Sequence, residues 1–166
     1  HKGRRGIMER IYNNILLYIN SHTCIKTIIL FIYQYFPYII FFIYPCIVLF
    51  AFLYKNDILL SIISRPLLAF LFLTLFRKII NRPRPYETLN IKPLKSHKIG
   101  ESFPSRHTLS AFIISFVCFE VNIYLGVFTI VIACLISLSR FLSGVHYISD
   151  VLAGLIVAVI CAVLGY

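Results

Sequence analysis

The stretch SRFLSGVHYISD, residues 139–150, places Arg140, His146 and Asp150 between two strongly apolar runs. His146 and Asp150 are four residues apart, so a helix stacks them on one face. A carboxylate that accepts a hydrogen bond from one imidazole nitrogen fixes the tautomer and leaves the other nitrogen free as base or nucleophile. The plainer alternative is a structural pair, or an aspartate set against the positive end of a helix. Arg140 ends the preceding apolar run. Its guanidinium suits bidentate contact with phosphate oxygens, although an arginine at a membrane interface also persists by snorkelling.

Two further clusters carry related chemistry. In SFPSRHT, residues 102–108, Ser105 can donate to an oxyanion, Arg106 adds charge, and His107 opens an apolar run where helix N–H groups favour an anion. A histidine there suits a general acid for a leaving oxygen. Ordinary N-capping by Ser105 explains the same serine. In RKIINRPRP, residues 77–85, Arg84 follows Arg77 by seven, so two helical turns would align them. A basic membrane-flanking stretch is the plain alternative. Together the clusters supply a nucleophile pair, an acid and several cationic grips, a set of parts for phosphoryl transfer that calls for neither metal nor cofactor.

These residues need elements that bring them to one place. The chain has 166 residues, 60% hydrophobic, with a mean hydropathy of +0.88, well above the 45–50% apolar usage of soluble domains. A polytopic, all-α transmembrane bundle follows. Residues 1–7 read as an expression or processing remnant, and residues 8–166 as one membrane-embedded domain. Met8 to Asn20 carries Ile11, Ile15, Leu16 and Ile19 at helical spacing, which predicts an amphipathic surface helix.

Cys24 to Tyr54 is apolar for 31 residues around Pro37 and Pro45. At 1.5 Å per residue it is about 46 Å long, too long for one straight span and too short for two full ones. One kinked or tilted helix is preferred. Further spans are expected at 58–80, 107–119, 123–138 and 147–166, giving five, or six if the first run divides with help from the amphipathic segment. Gly154 and Gly165 would allow close helix contact. Each hairpin returns the chain to its starting face, so the three clusters converge on one side. The five cysteines lie singly in apolar runs and read as buried small hydrophobes.

The net charge is +10, and eight of the sixteen basic residues fall between Arg77 and Arg106. That placement suits anionic lipid head groups or a phosphate substrate rather than nucleic acid. A positive-inside loop that only sets topology is the competing reading.

The three clusters resemble the type 2 phosphatidic acid phosphatase superfamily, membrane lipid phosphatases whose site is shared with vanadium haloperoxidases. The family motifs are K-x6-R-P, P-S-G-H and S-R-x5-H-x3-D. The third is intact as Ser139, Arg140, His146 and Asp150. The second reads Pro104-Ser105-Arg106-His107, with arginine in place of glycine. The first reads Arg77, six residues, then Arg84-Pro85, with arginine in place of lysine.

The resemblance implies a two-step reaction on a lipid phosphate. His146 attacks phosphorus while Asp150 holds its ring. His107 protonates the leaving oxygen and then activates water. Arg77, Arg84, Ser105 and Arg140 hold the phosphoryl oxygens, joined by Arg106. It also implies an integral protein of a bacterial cytoplasmic membrane, its site on the outer face. The implied substrates are phosphatidic acid, phosphatidylglycerol phosphate, a polyprenyl diphosphate or a lipid A-like glycolipid. The alternatives from other classes are a phosphotransferase and a non-catalytic bundle that binds or transports anionic lipids.

Overall fold

A computed structural model describes residues 2–96 and 98–164, without the side chains of Lys2 and Arg4. Seven helices follow in order: α1 (Lys2–Ser21), α2 (Thr23–Tyr54), α3 (Asn56–Ile80), α4 (Pro85–Thr88), α5 (Arg106–Val121), α6 (Ile123–Leu142) and α7 (Ile148–Leu164). Among the described residues, α2, α3 and α6 are long and apolar enough to cross a membrane, and α7 is a shorter apolar helix. Large apolar side chains such as Phe41, Phe42, Leu60, Leu68, Ile79 and Val163 face outward. An exposed apolar surface of that extent belongs against lipid.

The expected single long helix at 24–54 is α2, continuous over 32 residues with Pro37 and Pro45 inside it. Helix α5 is the central element and packs against α2, α3, α6 and α7. It is apolar on every side, as a helix enclosed by others must be. Its residues Leu109, Ala111, Phe112 and Ile113 join Leu73, Ile136 and Ala158 in the main core. Lipid tails are as apolar as leucine, so helices associate here through close packing. Ala111, Ala133, Ala158 and Gly154 accordingly sit in the contacts between helices.

The structure changes several sequence expectations. Helix α1 extends the helix expected at 8–20 back to Lys2, and Arg5 donates to the Thr88 carbonyl. Its buried stripe is Tyr12, Leu16 and Ile19, whereas Ile11 faces outward. The stripe turns because α1 lies on protein: Tyr12 packs against Phe141 and Tyr147. Among the cysteines only Cys118 is buried, and Cys24, Cys46 and Cys134 are exposed. An apolar environment outside the bundle accepts them as readily as the core does. Gly165 lies outside the described residues.

Arg77 and Arg84 are not aligned by two turns of one helix. Helix α3 ends at Ile80, and Asn81 turns the chain through the left-handed region at φ 40°. Arg82 and Arg84 each precede a proline, which disfavours the helical conformation at both positions.

Candidate active site

Three segments meet at one end of the bundle: the end of α3 with the loop that follows it, the start of α5, and the turn from α6 into α7. Gly144, at φ 73°, makes that turn, a conformation costly for residues with a Cβ. The starts of α5 and α7 are tied directly, since the Ser105 N–H donates to the Asp150 carbonyl at 2.9 Å. Gly154, one turn into α7, permits this approach. A Cβ there would lie 2.7 Å from the Ser105 carbonyl oxygen.

His146 sits in the turn before α7 and is 2% exposed. Its Nδ1 lies 3.5 Å from Asp150 Oδ2, and its Nε2 lies 3.5 Å from Arg84 Nη1. Burial pushes its pKa below the ordinary histidine value, against the opposing hydrogen bond to Asp150. The ring is therefore neutral near pH 7. The Asp150 contact places the proton on Nδ1 and the lone pair on Nε2.

Asp150 is fully buried. Its Oδ1 accepts from Arg82 Nη1 at 2.8 Å. Its Oδ2 accepts from the Tyr147 N–H at 2.9 Å and from the Ser102 hydroxyl. The helix-start contact and the histidine partnership, alternatives in the sequence, therefore coexist in one side chain.

Arg84 is 3% exposed. Its Nε donates to the Gly100 carbonyl at 3.1 Å and its Nη1 to the Val145 carbonyl at 3.3 Å. Glu87 fixes the backbone around it by accepting from the N–H groups of Arg84 at 3.0 Å and Gly100 at 2.8 Å. Arg77 is also buried, and its Nη1 donates to the Pro104 carbonyl at 2.7 Å while its Nη2 donates to the Glu101 carbonyl. A planar fork reaches two carbonyls at once, which the point charge of a lysine does with less geometric definition. That gives the arginine at this position a physical use.

A small cavity of about 60 Å³ opens beside His146. It is lined by Arg77, Arg84, Lys98, Arg106, His107 and His146, with Gly100 and Glu101. Five of the eight residues singled out in the sequence thus share one pocket, and Asp150 stands behind it. Ser105 is buried as the N-cap of α5, its hydroxyl accepting from Thr108 Oγ1 at 3.0 Å. Arg106 is exposed, its guanidinium carbon 5.7 Å from the Phe70 ring centroid. Arg140 lies apart from the His146 pocket. Its Nη2 donates to the Tyr33 carbonyl at 3.0 Å, and its guanidinium covers the Tyr33 ring at 3.7 Å.

Three contributors escaped the sequence. Arg82 bonds Asp150 and Ser149 and lies over the Tyr147 ring at 4.3 Å. Ser102 holds the other carboxylate oxygen. Tyr12, from α1, donates to the His146 carbonyl at 2.9 Å. The doubled Arg-Pro in RPRP was a signal for Arg82; nothing near Tyr12 in sequence points to His146.

Sequence and fold comparisons show the family and the fold. A sequence model of the PAP2 superfamily matches residues 55–166, and the chain belongs to that superfamily. The fold resembles the crystal structure of Aquifex aeolicus LpxE, with a TM-score of 0.73 and 23% identity over 94% of this chain and 92% of that one. It equally resembles the first transmembrane PAP2 type phosphatidylglycerolphosphate phosphatase from Bacillus subtilis, with a TM-score of 0.72 and 22% identity over 99% and 85% of the two chains.

Among curated proteins, the chain is 41% identical over 80 residues to the bacitracin transport permease protein BcrC of Bacillus licheniformis, covering 48% of this chain and 39% of the relative. It is 36% identical over 84 residues to the undecaprenyl-diphosphatase BcrC of Bacillus subtilis (strain 168), covering 51% of this chain and 44% of the relative. The matched stretch spans about two fifths of each of these relatives. With its lipid-facing helices, the chain is an integral membrane protein.

Proposed function

We propose that this chain hydrolyses a phosphoryl group from a membrane lipid through a phosphohistidine at His146. One observation carries the reading: a buried, neutral imidazole has its Nδ1 toward a fixed carboxylate and its Nε2 toward a pocket of arginines that also holds His107. The Nε2 lone pair attacks phosphorus, and the bond from phosphorus to the leaving oxygen breaks. His107 gives that oxygen a proton. Water then attacks the phosphorus of phosphohistidine, His107 takes the water proton, and the P–N bond breaks to release inorganic phosphate and neutral His146. Arg84, Arg106 and Arg77 face the phosphoryl oxygens, where fixed positive charge acts most strongly on the charge that develops.

The substrate class is a lipid phosphate monoester or diphosphate. The name of the Bacillus subtilis relative supports a polyprenyl diphosphate. Helices α2, α3, α5, α6 and α7 serve as five spans, with α1 lying on the site face, and that face is the outer one of a bacterial membrane.

Phosphate release from detergent-solubilised protein in chelator tests this reading against a panel of lipid phosphates. Release that is lost in His146→Ala and reduced in His107→Ala is expected. A lipid-binding or transport bundle, the role that the name of the other relative suggests, needs cations but no histidine pair, and would release no phosphate.

A further inference from the structure

Contacts from α1 converge on the turn between α6 and α7. The Tyr12 hydroxyl donates to the carbonyl of His146 itself, 134 residues away in sequence, at 2.9 Å. The Tyr12 ring packs against Phe141 at the end of α6 and against Tyr147 in the turn. One helical turn further on, Leu16 reaches Gly144: a Cβ on that glycine would lie 3.4 Å from Leu16 Cδ1. Tyr12 and Leu16 are both buried. The turn that carries His146 is thus held at two points by a helix that contributes nothing to the phosphoryl pocket.

Another flank of α1 has no protein on it. At 3.6 residues per turn, Ile7, Ile11, Ile15 and Tyr18 lie side by side next to the Tyr12, Leu16 and Ile19 stripe, while Glu9, Asn13 and Asn20 lie on the far side. Ile7, Ile11 and Tyr18 are 62%, 48% and 58% exposed, so the apolar arc of α1 is wider than the protein covers. A groove of about 410 Å³ runs beside this flank, lined by Ile15, Tyr18 and Ile19 of α1, Ile25 and Ile29 of α2, and Leu142 of α6. On α2, a membrane span, the exposed Ile28 and Phe31 continue the same apolar surface. The groove is therefore continuous with the lipid-facing side of the bundle, and the occupant that fits it is a chain of the surrounding bilayer lipid.

We propose that α1 is a positioning element whose partner is the bilayer: lipid packed on the Ile7, Ile11 and Tyr18 flank seats α1, and Tyr12 passes that seating to the backbone of His146. The inference rests on the phosphatase reading above and deepens it by naming what holds the nucleophile at its angle. Tyr12 touches no reacting atom. Its hydroxyl fixes the His146 carbonyl, so the direction of Nε2 follows the height of α1 over the turn. An interfacial helix is held by the apolar area it buries in lipid. Where that area is removed, α1 lifts and the turn gains freedom. The arginines of the pocket sit on other segments, so the effect falls on turnover ahead of substrate affinity.

The test is a mutant cycle on the full chain in nanodiscs of phosphatidylethanolamine and phosphatidylglycerol, read by phosphate release from the panel of lipid phosphates. Tyr12→Phe removes only the hydroxyl and keeps the ring against Phe141 and Tyr147. It should lower kcat about three- to tenfold, the scale of one hydrogen bond, at unchanged KM. Ile7→Gln with Ile11→Gln changes only exposed residues, to a good helix former, and should lower kcat to a similar degree. Added to Tyr12→Phe, the two glutamines should cost nothing further, because both changes act through one contact. Amide hydrogen exchange at residues 143–147 should rise in either variant, a readout that needs no turnover. An unchanged kcat in Tyr12→Phe, additive losses in the cycle, or unchanged exchange at the turn overturns the proposal and leaves the phosphatase reading standing. So does a loss in the glutamine variant that appears in KM, which would make the groove a seat for the substrate's own chain. A wild type that releases no phosphate from the panel overturns both.

Discussion

Asp150 is the most heavily bonded side chain of the site, and its partners divide the work. Tyr147 N–H sets its height at the start of α7, Ser102 takes one oxygen, and Arg82 takes the other. Arg82 touches no reacting atom, so it is a positioning residue. Hydrogen bonds to charged groups contribute about 1.5–3 kcal/mol. Arg82→Ala should therefore lower kcat ten- to a hundredfold with a smaller change in KM, and Arg82→Lys should recover part of it. Free of Arg82, the Asp150 charge acts more strongly on His146, so the acid limb of the kcat/KM profile in Arg82→Ala should move to higher pH. In the wild type that limb should fall below pH ~6.5, the ordinary histidine value, because burial lowers the His146 pKa and activity is lost only as the ring gains a proton. A wild-type acid limb above that value contradicts the neutral nucleophile. General acid catalysis contributes about 10²–10⁴-fold, so His107→Ala should retain a trace of turnover while His146→Ala retains none, as read by phosphate release.

At the scale of elements, the contact of α7 with the start of α5 decides whether both histidines face one pocket. Gly154→Ala puts a Cβ 2.7 Å from a backbone carbonyl, where neither side yields easily, whereas Gly126→Ala meets the ring of Phe119, a side chain exposed at the outside of the bundle. Overpacking costs about 1–3 kcal/mol. Gly154→Ala should lower both Tm and activity, and Gly126→Ala should spare activity; equal behaviour of the two would contradict the assigned contact. The His146–Asp150 pair was legible because a spacing of four residues is a local relation, although His146 sits in the turn before α7 and only Asp150 is on the helix. The bonds from Tyr12 to His146 and from Arg82 to Asp150 bridge 134 and 68 residues, distances that no periodicity encodes. The stripe of α1 was read only in part for the same reason: Leu16 and Ile19 are buried, but Tyr12 takes the place expected for Ile11. Its orientation follows from Phe141 and Tyr147, which its own sequence does not contain.

For the whole molecule, hydropathy made the helical bundle and the convergence of its motifs legible, since each apolar run must cross or flank a membrane. It gave the run at 107–119 as a span but did not show that this helix, α5, is the central one, because a helix enclosed by its neighbours has no lipid-facing stripe to read. Sidedness is a property of the whole chain as well. The basic residues gather at the site end, whereas Lys55 and Arg65 lie toward the other, the latter paired with Glu120. Arginines of the candidate site add to that asymmetry, so charge alone does not orient the protein. In intact bacteria with Cys24 replaced by alanine, an impermeant thiol reagent should label Lys92→Cys and spare Tyr124→Cys. The reverse pattern places the site in the cytoplasm.

The central claim is a covalent bond between His146 Nε2 and phosphorus. It is tested most directly by rapid quenching of the solubilised enzyme with a lipid phosphate carrying a radiolabelled terminal phosphoryl group. The account predicts protein-bound label that is acid-labile and alkali-stable, absent in His146→Ala and accumulated in His107→Ala, where water is no longer activated. Turnover by the wild type with no trapped label in either the wild type or His107→Ala, or label that survives in His146→Ala, contradicts it.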